Sequence, residues 1–172
     1  AGRADLLALL LSQIEVDIVL HPVPRPITVF LGDYIDRGPA SKEVLDLLVE
    51  RRSRPEAVFL KGNHEDFLLR FWADGSDGEL WMMNGGVQTL QSYGIDVASV
   101  GFAPGGFDEL RRRFRDALPA RHLDFYRRLA MRFEAGDYLF VHAGVRPGVG
   151  LESQRDVVAA DCDTQFCRQL LR

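Results

Sequence analysis

Hydrophobic and polar positions along this chain follow two different periods, and each period predicts its own kind of element. Residues 3 to 16 place Leu6, Leu7, Leu10, Leu11 and Ile14 on one stripe at helical spacing. Pro22, Pro24 and Pro26 then form a stiff connector. Three short apolar runs, 27–31, 57–60 and 138–141, are rich in β-branched and aromatic residues and end at glycine-containing clusters, which predicts buried strands. Between them, Ala40 to Arg52 reads as a helix with Val44, Leu45, Leu48 and Val49 inward, stopped by Pro55. Glu65 to Ala73 reads as a short helix bearing Phe67, Leu68 and Phe71, followed by a turn-rich loop at 74–78. Two further helices are expected around Phe107–Leu118 and Arg121–Met131, and the Gly136-Asp137 turn leads into the last strand. This alternation, without internal repeat or low-complexity linker, predicts an α/β fold.

Composition changes the picture little. The 172 residues fit a single domain, 1–172, able to bury a sizeable core, and 47% hydrophobic with 27% charged residues is an ordinary globular balance. A net charge of -4 gives no reason to expect a nucleic-acid partner. The longest aliphatic run, Leu6 to Leu11, is too short for a membrane span. Cys162 and Cys167 make neither a disulfide framework nor a good zinc site, so reduced thiols and a cytoplasmic location are expected. Arg111, Arg112, Arg113 and Arg115 are interleaved with Asp108, Glu109 and Asp116, which reads as a solvated helix face.

The chemistry lies where the three apolar runs end. The first meets Gly32-Asp33-Tyr34-Ile35-Asp36-Arg37-Gly38, the second Lys61-Gly62-Asn63-His64-Glu65, and the third His142-Ala143-Gly144. If the strands lie parallel in one sheet, Asp33, Asn63 and His142 converge at its carboxyl edge, where open α/β sheets place their ligands. One carboxylate, one amide oxygen and one imidazole suit a divalent transition metal, Mn²⁺ first, with Fe or Zn²⁺ as alternatives. Asp36, Arg37 and His64 add a second carboxylate, a fork for oxyanions and a proton carrier, a set suited to phosphate ester hydrolysis. Each residue also has a plainer reading. Asp33 and Asn63 could cap turns, His64 and His142 could be hydrogen-bonded structural histidines, and Arg37 could form a surface ion pair.

G-D-Y-I-D-R-G, G-N-H-E and H-A-G in this order resemble the PPP-type serine/threonine phosphatases of the calcineurin-like metallophosphoesterase superfamily, in their bacterial branch. Trp81-Met82-Met83-Asn84-Gly85-Gly86 and Val145-Arg146-Pro147-Gly148 add to the likeness, which covers about residues 2–154 and leaves 155–172 unlike the family. The resemblance implies two packed mixed β-sheets flanked by helices. It makes Asp33 a bridging metal ligand, Asn63 and His142 ligands of one cation, and His64 the acid for the leaving alkoxide, oriented by Asp36. Arg37, with Asn63 and His64, would hold the phosphate. In the intact family the centre is binuclear, and hydroxide attacks phosphorus in line.

The family's opening Gly-Asp-x-His-Gly and late Gly-His do not occur here, since Gly2 aligns with the last glycine of the first motif. The fold is therefore expected to be truncated at both ends relative to the family, with weak metal binding and slow hydrolysis. The expected substrate is a phosphorylated protein or a small phosphoester. The alternatives are a dinucleoside polyphosphate hydrolase, which shares the three motifs, and an inactive phosphate-binding or interaction domain.

Overall fold

The computed structural model describes residues 1–54, 56–100, 105–146 and 148–154. Cys162, Cys167, the segment 155–172 and the expected helix stop at Pro55 lie outside them. The first helix, α1 (Ala4–Leu20), leads through the proline connector to β1 (Thr28–Phe30). Next come α2 (Ser41–Arg51), β2 (Ala57–Phe59) and α3 (Asn63–Asp74). The helical stretch α4 (Gly78–Trp81), a wide turn at Met82–Gly86, and α5 (Val87–Ser92) follows. The chain continues through α6 (Val97–Val100), α7 (Gly106–Ala117) and α8 (Ala120–Arg127) into a hairpin of β3 (Arg132–Ala135) and β4 (Tyr138–Val141).

The sheets differ from the arrangement expected of the strands. β1 and β2 pair in parallel, with Thr28 opposite Ala57 and Phe30 opposite Phe59. β4 does not join them; it pairs antiparallel with β3, Arg132 opposite Val141. The seam is a single parallel bridge, in which the Ala130 N–H donates to the Phe59 carbonyl at 2.9 Å and the Lys61 N–H to the Ala130 carbonyl at 2.8 Å. Two small sheets are thus present as expected, each of one sense among the described residues. A tight hairpin forces antiparallel pairing, whereas β1 and β2 are joined by a helical crossover that permits the parallel sense.

The core lies between the β1–β2 sheet and the helices. Val44, Leu45 and Leu48 of α2 and Phe67, Leu68 and Phe71 of α3 are buried, as their spacing predicts. Phe30 and Phe59 stack at 4.6 Å across the parallel pair, and Phe125 of α8 meets Phe59 edge-on at 5.1 Å. The α1 stripe behaves differently: no residue of this helix is buried, and Leu6 and Leu10 are each 52% exposed. α1 docks on α2, with Glu15 receiving both Arg51 and Arg54, and this contact covers only the Leu7 side of the stripe. No helix among the described residues is long and apolar enough to cross a membrane.

Candidate active site

Three strand ends deliver the three polar clusters to one place. β1 stops at Phe30, so the following loop carries Asp33, Tyr34, Asp36 and Arg37. β2 stops at Phe59, and Asn63 becomes the first residue of α3, whose free amide ends favour negative charge. β4 stops at Val141, directly before His142.

The first loop folds through an unusual backbone. Asp33, Asp36 and Arg37 all have positive φ, at 57°, 73° and 60°, a region that side chains enter at a cost of order 1–3 kcal/mol and that clusters at functional sites. Glu65 helps to hold this shape. Its fully buried carboxylate accepts the Asp33 N–H at 2.9 Å, the Tyr34 N–H at 2.8 Å and the Gly62 N–H at 2.9 Å. Burial pushes the Glu65 carboxyl up and the Asp33 charge adds to this, while the three amide donors pull it back. The Tyr34 hydroxyl lies against both strand ends, 2.7 Å from the Leu60 carbonyl and 3.1 Å from that of Phe30. Gly32 is required where the three segments meet. At its φ of +100°, a Cβ would stand 2.6 Å from Gly62 N and 2.8 Å from His142 Nδ1.

Asp33, Asn63 and His142 do come together. His142 Nε2 lies 3.3 Å from Asp33 Oδ1 and 3.3 Å from Asn63 Oδ1. On the other side of the ring, Nδ1 lies 2.6 Å from the Leu31 carbonyl, an acceptor, so Nδ1 carries a hydrogen and donates it. In the neutral ring Nε2 is then a lone pair, and three acceptors face one another with no donor among them. Such a cluster needs a positive guest. Asp33 draws a proton onto His142, whose pKa is raised chiefly by that contact, and a metal would compete for the same place. The Leu31 contact is of the kind that orients metal-binding histidines. The donor set therefore fits a cation. No group of three or more His, Cys, Asp or Glu side chains suited to a metal occurs among the described residues; this set depends on the amide of Asn63.

The second cluster pairs a histidine with a carboxylate. His64 Nδ1 lies 2.6 Å from Asp36 Oδ2, with His64 almost buried and Asp36 completely so. Its Nε2 faces Asp33 Oδ2 at 4.0 Å. The hydrogen bond to Asp36 raises the His64 pKa above the usual 6.5; burial and the nearby charge of Arg37 oppose it. The Asp33 carboxyl stays below the usual range, because His142 and His64 outweigh the effect of burial. Arg37 is exposed, its N–H donates to the Gly85 carbonyl at 3.3 Å, and no carboxylate among the described residues pairs with its guanidinium.

Sequence reasoning missed three residues around this pair. Trp81 Nε1–H donates to Asp36 at 2.9 Å (Oδ2) and 3.2 Å (Oδ1), and Thr89 Oγ1–H to Oδ1 at 2.6 Å. Glu65 stands in the second polar cluster, where its charge gives no sign of the three amides it holds. For Trp81 the signal was the run Trp81-Met82-Met83-Asn84-Gly85-Gly86, which sits between two helices without being an ordinary turn. Nothing in the sequence pointed to Thr89. His122 is buried between Tyr93 (2.8 Å) and Asp46 (3.0 Å), a packing histidine away from the site.

Over 58 residues, 34% of this chain and 23% of the relative, the chain is 41% identical to the asymmetrical bis(5'-nucleosyl)-tetraphosphatase PrpE of Anoxybacillus flavithermus. Over 56 residues, 33% of this chain and 23% of the relative, it is 45% identical to serine/threonine-protein phosphatase 2 of Escherichia coli. The matched part thus spans under a quarter of these curated relatives. A family profile described as Calcineurin-like phosphoesterase matches residues 1–168, extending past Gln154, where the likeness of the motifs stops. With nearly its whole length matched, the chain belongs to the calcineurin-like phosphoesterase family.

Proposed function

We propose that this protein is a metal-dependent phosphoester hydrolase acting on phosphoserine and phosphothreonine side chains of proteins. The observation that carries this reading is the convergence of Asp33 Oδ1, Asn63 Oδ1 and His142 Nε2 beside a buried Asp36–His64 pair. Asp33, Asn63 and His142 would hold a divalent transition metal, with Mn²⁺, Fe or Zn²⁺ matching the mixed oxygen and nitrogen set. When bound there, the cation supplies Lewis-acid stabilisation of charge on the phosphoryl group.

The remaining work falls to the chain's own groups. Arg37, with no carboxylate partner among the described residues, offers its fork to two phosphoryl oxygens and stabilises charge that grows in the transition state. Asn63 can also present its amide N–H to the phosphate. His64, its Nδ1–H spent on Asp36 and its pKa raised, holds a proton on Nε2 for the departing alkoxide. Asp36 fixes that ring, as carboxylates do in other acid–base pairs.

The relative named as a dinucleoside tetraphosphatase supports a second reading, a dinucleoside polyphosphate hydrolase. One panel separates the two: purified chain with added Mn²⁺, offered a phosphoserine peptide, diadenosine tetraphosphate and an aryl phosphate. Metal-dependent release of phosphate from the peptide is expected. Faster cleavage of the dinucleotide would move the substrate class. Phosphate binding without turnover on any of the three would leave an inactive binding domain and overturn the reading.

A further inference from the structure

We propose that Trp81 is a positioning residue for the reaction, fixing the place of the Asp36 carboxylate and, through it, the direction of the His64 ring. The inference rests on the reading of His64 as proton donor. The Trp81 side chain is 0% exposed and ends α4, where its ring is gripped from three sides. Phe71 lies 5.1 Å away and Phe114 5.8 Å, centroid to centroid. Gly86 presses on it so closely that a Cβ there would stand 2.7 Å from Cδ2. A ring held this way cannot turn, and its one polar atom is aimed at Asp36.

The indole N–H is shared between the two oxygens of Asp36, at 2.9 Å and 3.2 Å. Withdrawal or tilting of the carboxylate would lengthen one or both of these contacts. Thr89 pins Oδ1 at 2.6 Å, and His64 takes Oδ2 at 2.6 Å. The hydroxyls close consistently. The Asp36 N–H is shared by Ser41 Oγ (3.1 Å) and Thr89 Oγ1 (3.0 Å), Ser41 donates to Thr89, and Thr89 keeps its own hydrogen for Oδ1. Donors from α3, α4 and α5 thus converge on one buried carboxylate. Such an anion is costly unless every lone pair in use is satisfied. A phenylalanine at position 81 would keep an aromatic ring but remove the N–H, leaving the carboxylate free to shift and the imidazole to tilt.

A packing role and a positioning role give different results in the full chain. Three variants are compared with wild type: Trp81→Phe, Thr89→Val and, as the conservative control, Thr89→Ser. The first readout needs no activity: the ring N–H resonance of His64 and the indole N–H of Trp81 in ¹H–¹⁵N spectra, the latter assigned against Trp72→Phe, since the chain has two tryptophans. Wild type should show a downfield, slowly exchanging Nδ1–H that shifts and broadens in Trp81→Phe and Thr89→Val and is kept in Thr89→Ser. The second readout is kcat across phosphate monoesters with successively poorer leaving groups. A positioned general acid is worth about 10²–10⁴-fold, so a misaligned one should cost about 10-fold on an alkyl phosphate and far less on p-nitrophenyl phosphate, with KM unchanged. An unmoved His64 resonance, or an equal loss on every leaving group, would overturn the proposal. If wild type cleaves none of these esters, the functional reading fails while the ring resonance still decides the positioning claim. If Trp81→Phe does not fold, Thr89→Val and Thr89→Ser carry the same comparison.

Discussion

Glu65 lies on α3 and Asp33 in the loop after β1, yet a carboxylate oxygen of the first receives the backbone N–H of the second at 2.9 Å. The same carboxylate takes the N–H of Tyr34 and of Gly62, so one buried anion stitches the first polar loop to the start of α3. Relative placement of Asp33 and Asn63 depends on this stitch as much as on the strands.

Replacing Glu65 with Gln keeps the shape but turns part of an acceptor into a donor facing donors. Each buried hydrogen bond lost this way costs about 1–3 kcal/mol. Glu65→Gln should therefore lower unfolding stability by about 2 kcal/mol or more, measured by urea titration, and weaken Mn²⁺ binding as Asp33 drifts. An unchanged midpoint and unchanged binding would show that the strands alone set the loop.

The two histidines of the site should separate in their effects. His142→Ala removes an acceptor from the Asp33–Asn63 cluster, so metal content and turnover should fall together. His64→Asn should leave metal content near wild type and lower turnover by about 10²–10⁴-fold. Elemental analysis beside hydrolysis assays distinguishes them, and loss of metal in His64→Asn would reverse the roles. Because Asp33 raises the His142 pKa above 6.5, protons should compete with Mn²⁺ increasingly as pH falls through that raised value. Titration calorimetry in buffers of different ionisation heat should show proton release on binding.

His122 makes a pH prediction away from the site. Burial lowers its pKa below 6.5, and the bond to Asp46 only partly offsets this. The folded state thus resists a proton that the unfolded chain accepts. The stability tied to His122 is complete above pH 6.5 and is lost as pH falls through its lower folded value, with a slope of at most about 1.4 kcal/mol per pH unit. His64 and His142, with raised values, act in the opposite sense: their contribution is present at low pH and lost as pH rises through those values. Urea unfolding of wild type and His122→Gln at pH 8, 6.5 and about 5 isolates the term, since only wild type should carry it.

Gly32→Ala tests the meeting point of the three segments. The added Cβ would press on Gly62 N and His142 Nδ1 at a φ that L-residues rarely adopt. A loss of about 1–3 kcal/mol is expected from the backbone alone, with weaker metal binding because His142 must move. Thermal unfolding with and without Mn²⁺ measures both, and a variant matching wild type in each would mean that the loop has slack.

Much of the helix pattern was readable from the chain alone. Val44, Leu45 and Leu48, or Phe67, Leu68 and Phe71, report their buried face by spacing, because a helix repeats every few residues whatever surrounds it. The site's own groups were legible for a related reason. Asp33, Asp36, Arg37, Asn63, His64 and His142 sit where apolar runs stop, and a strand end is a local event. Partners distant in the chain were not legible. That β4 pairs with β3 instead of β1 or β2 is settled by the neighbour the hairpin turn brings alongside, which the strand's own pattern does not state. That Leu6 and Leu10 remain exposed depends on where α2 lies, which no helical stripe can state. The donors to Asp36 are the sharpest case: Trp81 and Thr89 lie far along the chain from it, and as residues they look like ordinary core. The sequence determined which groups could do chemistry; only the tertiary structure decided which carboxylate each buried N–H and O–H would face, because that choice is made by packing across elements.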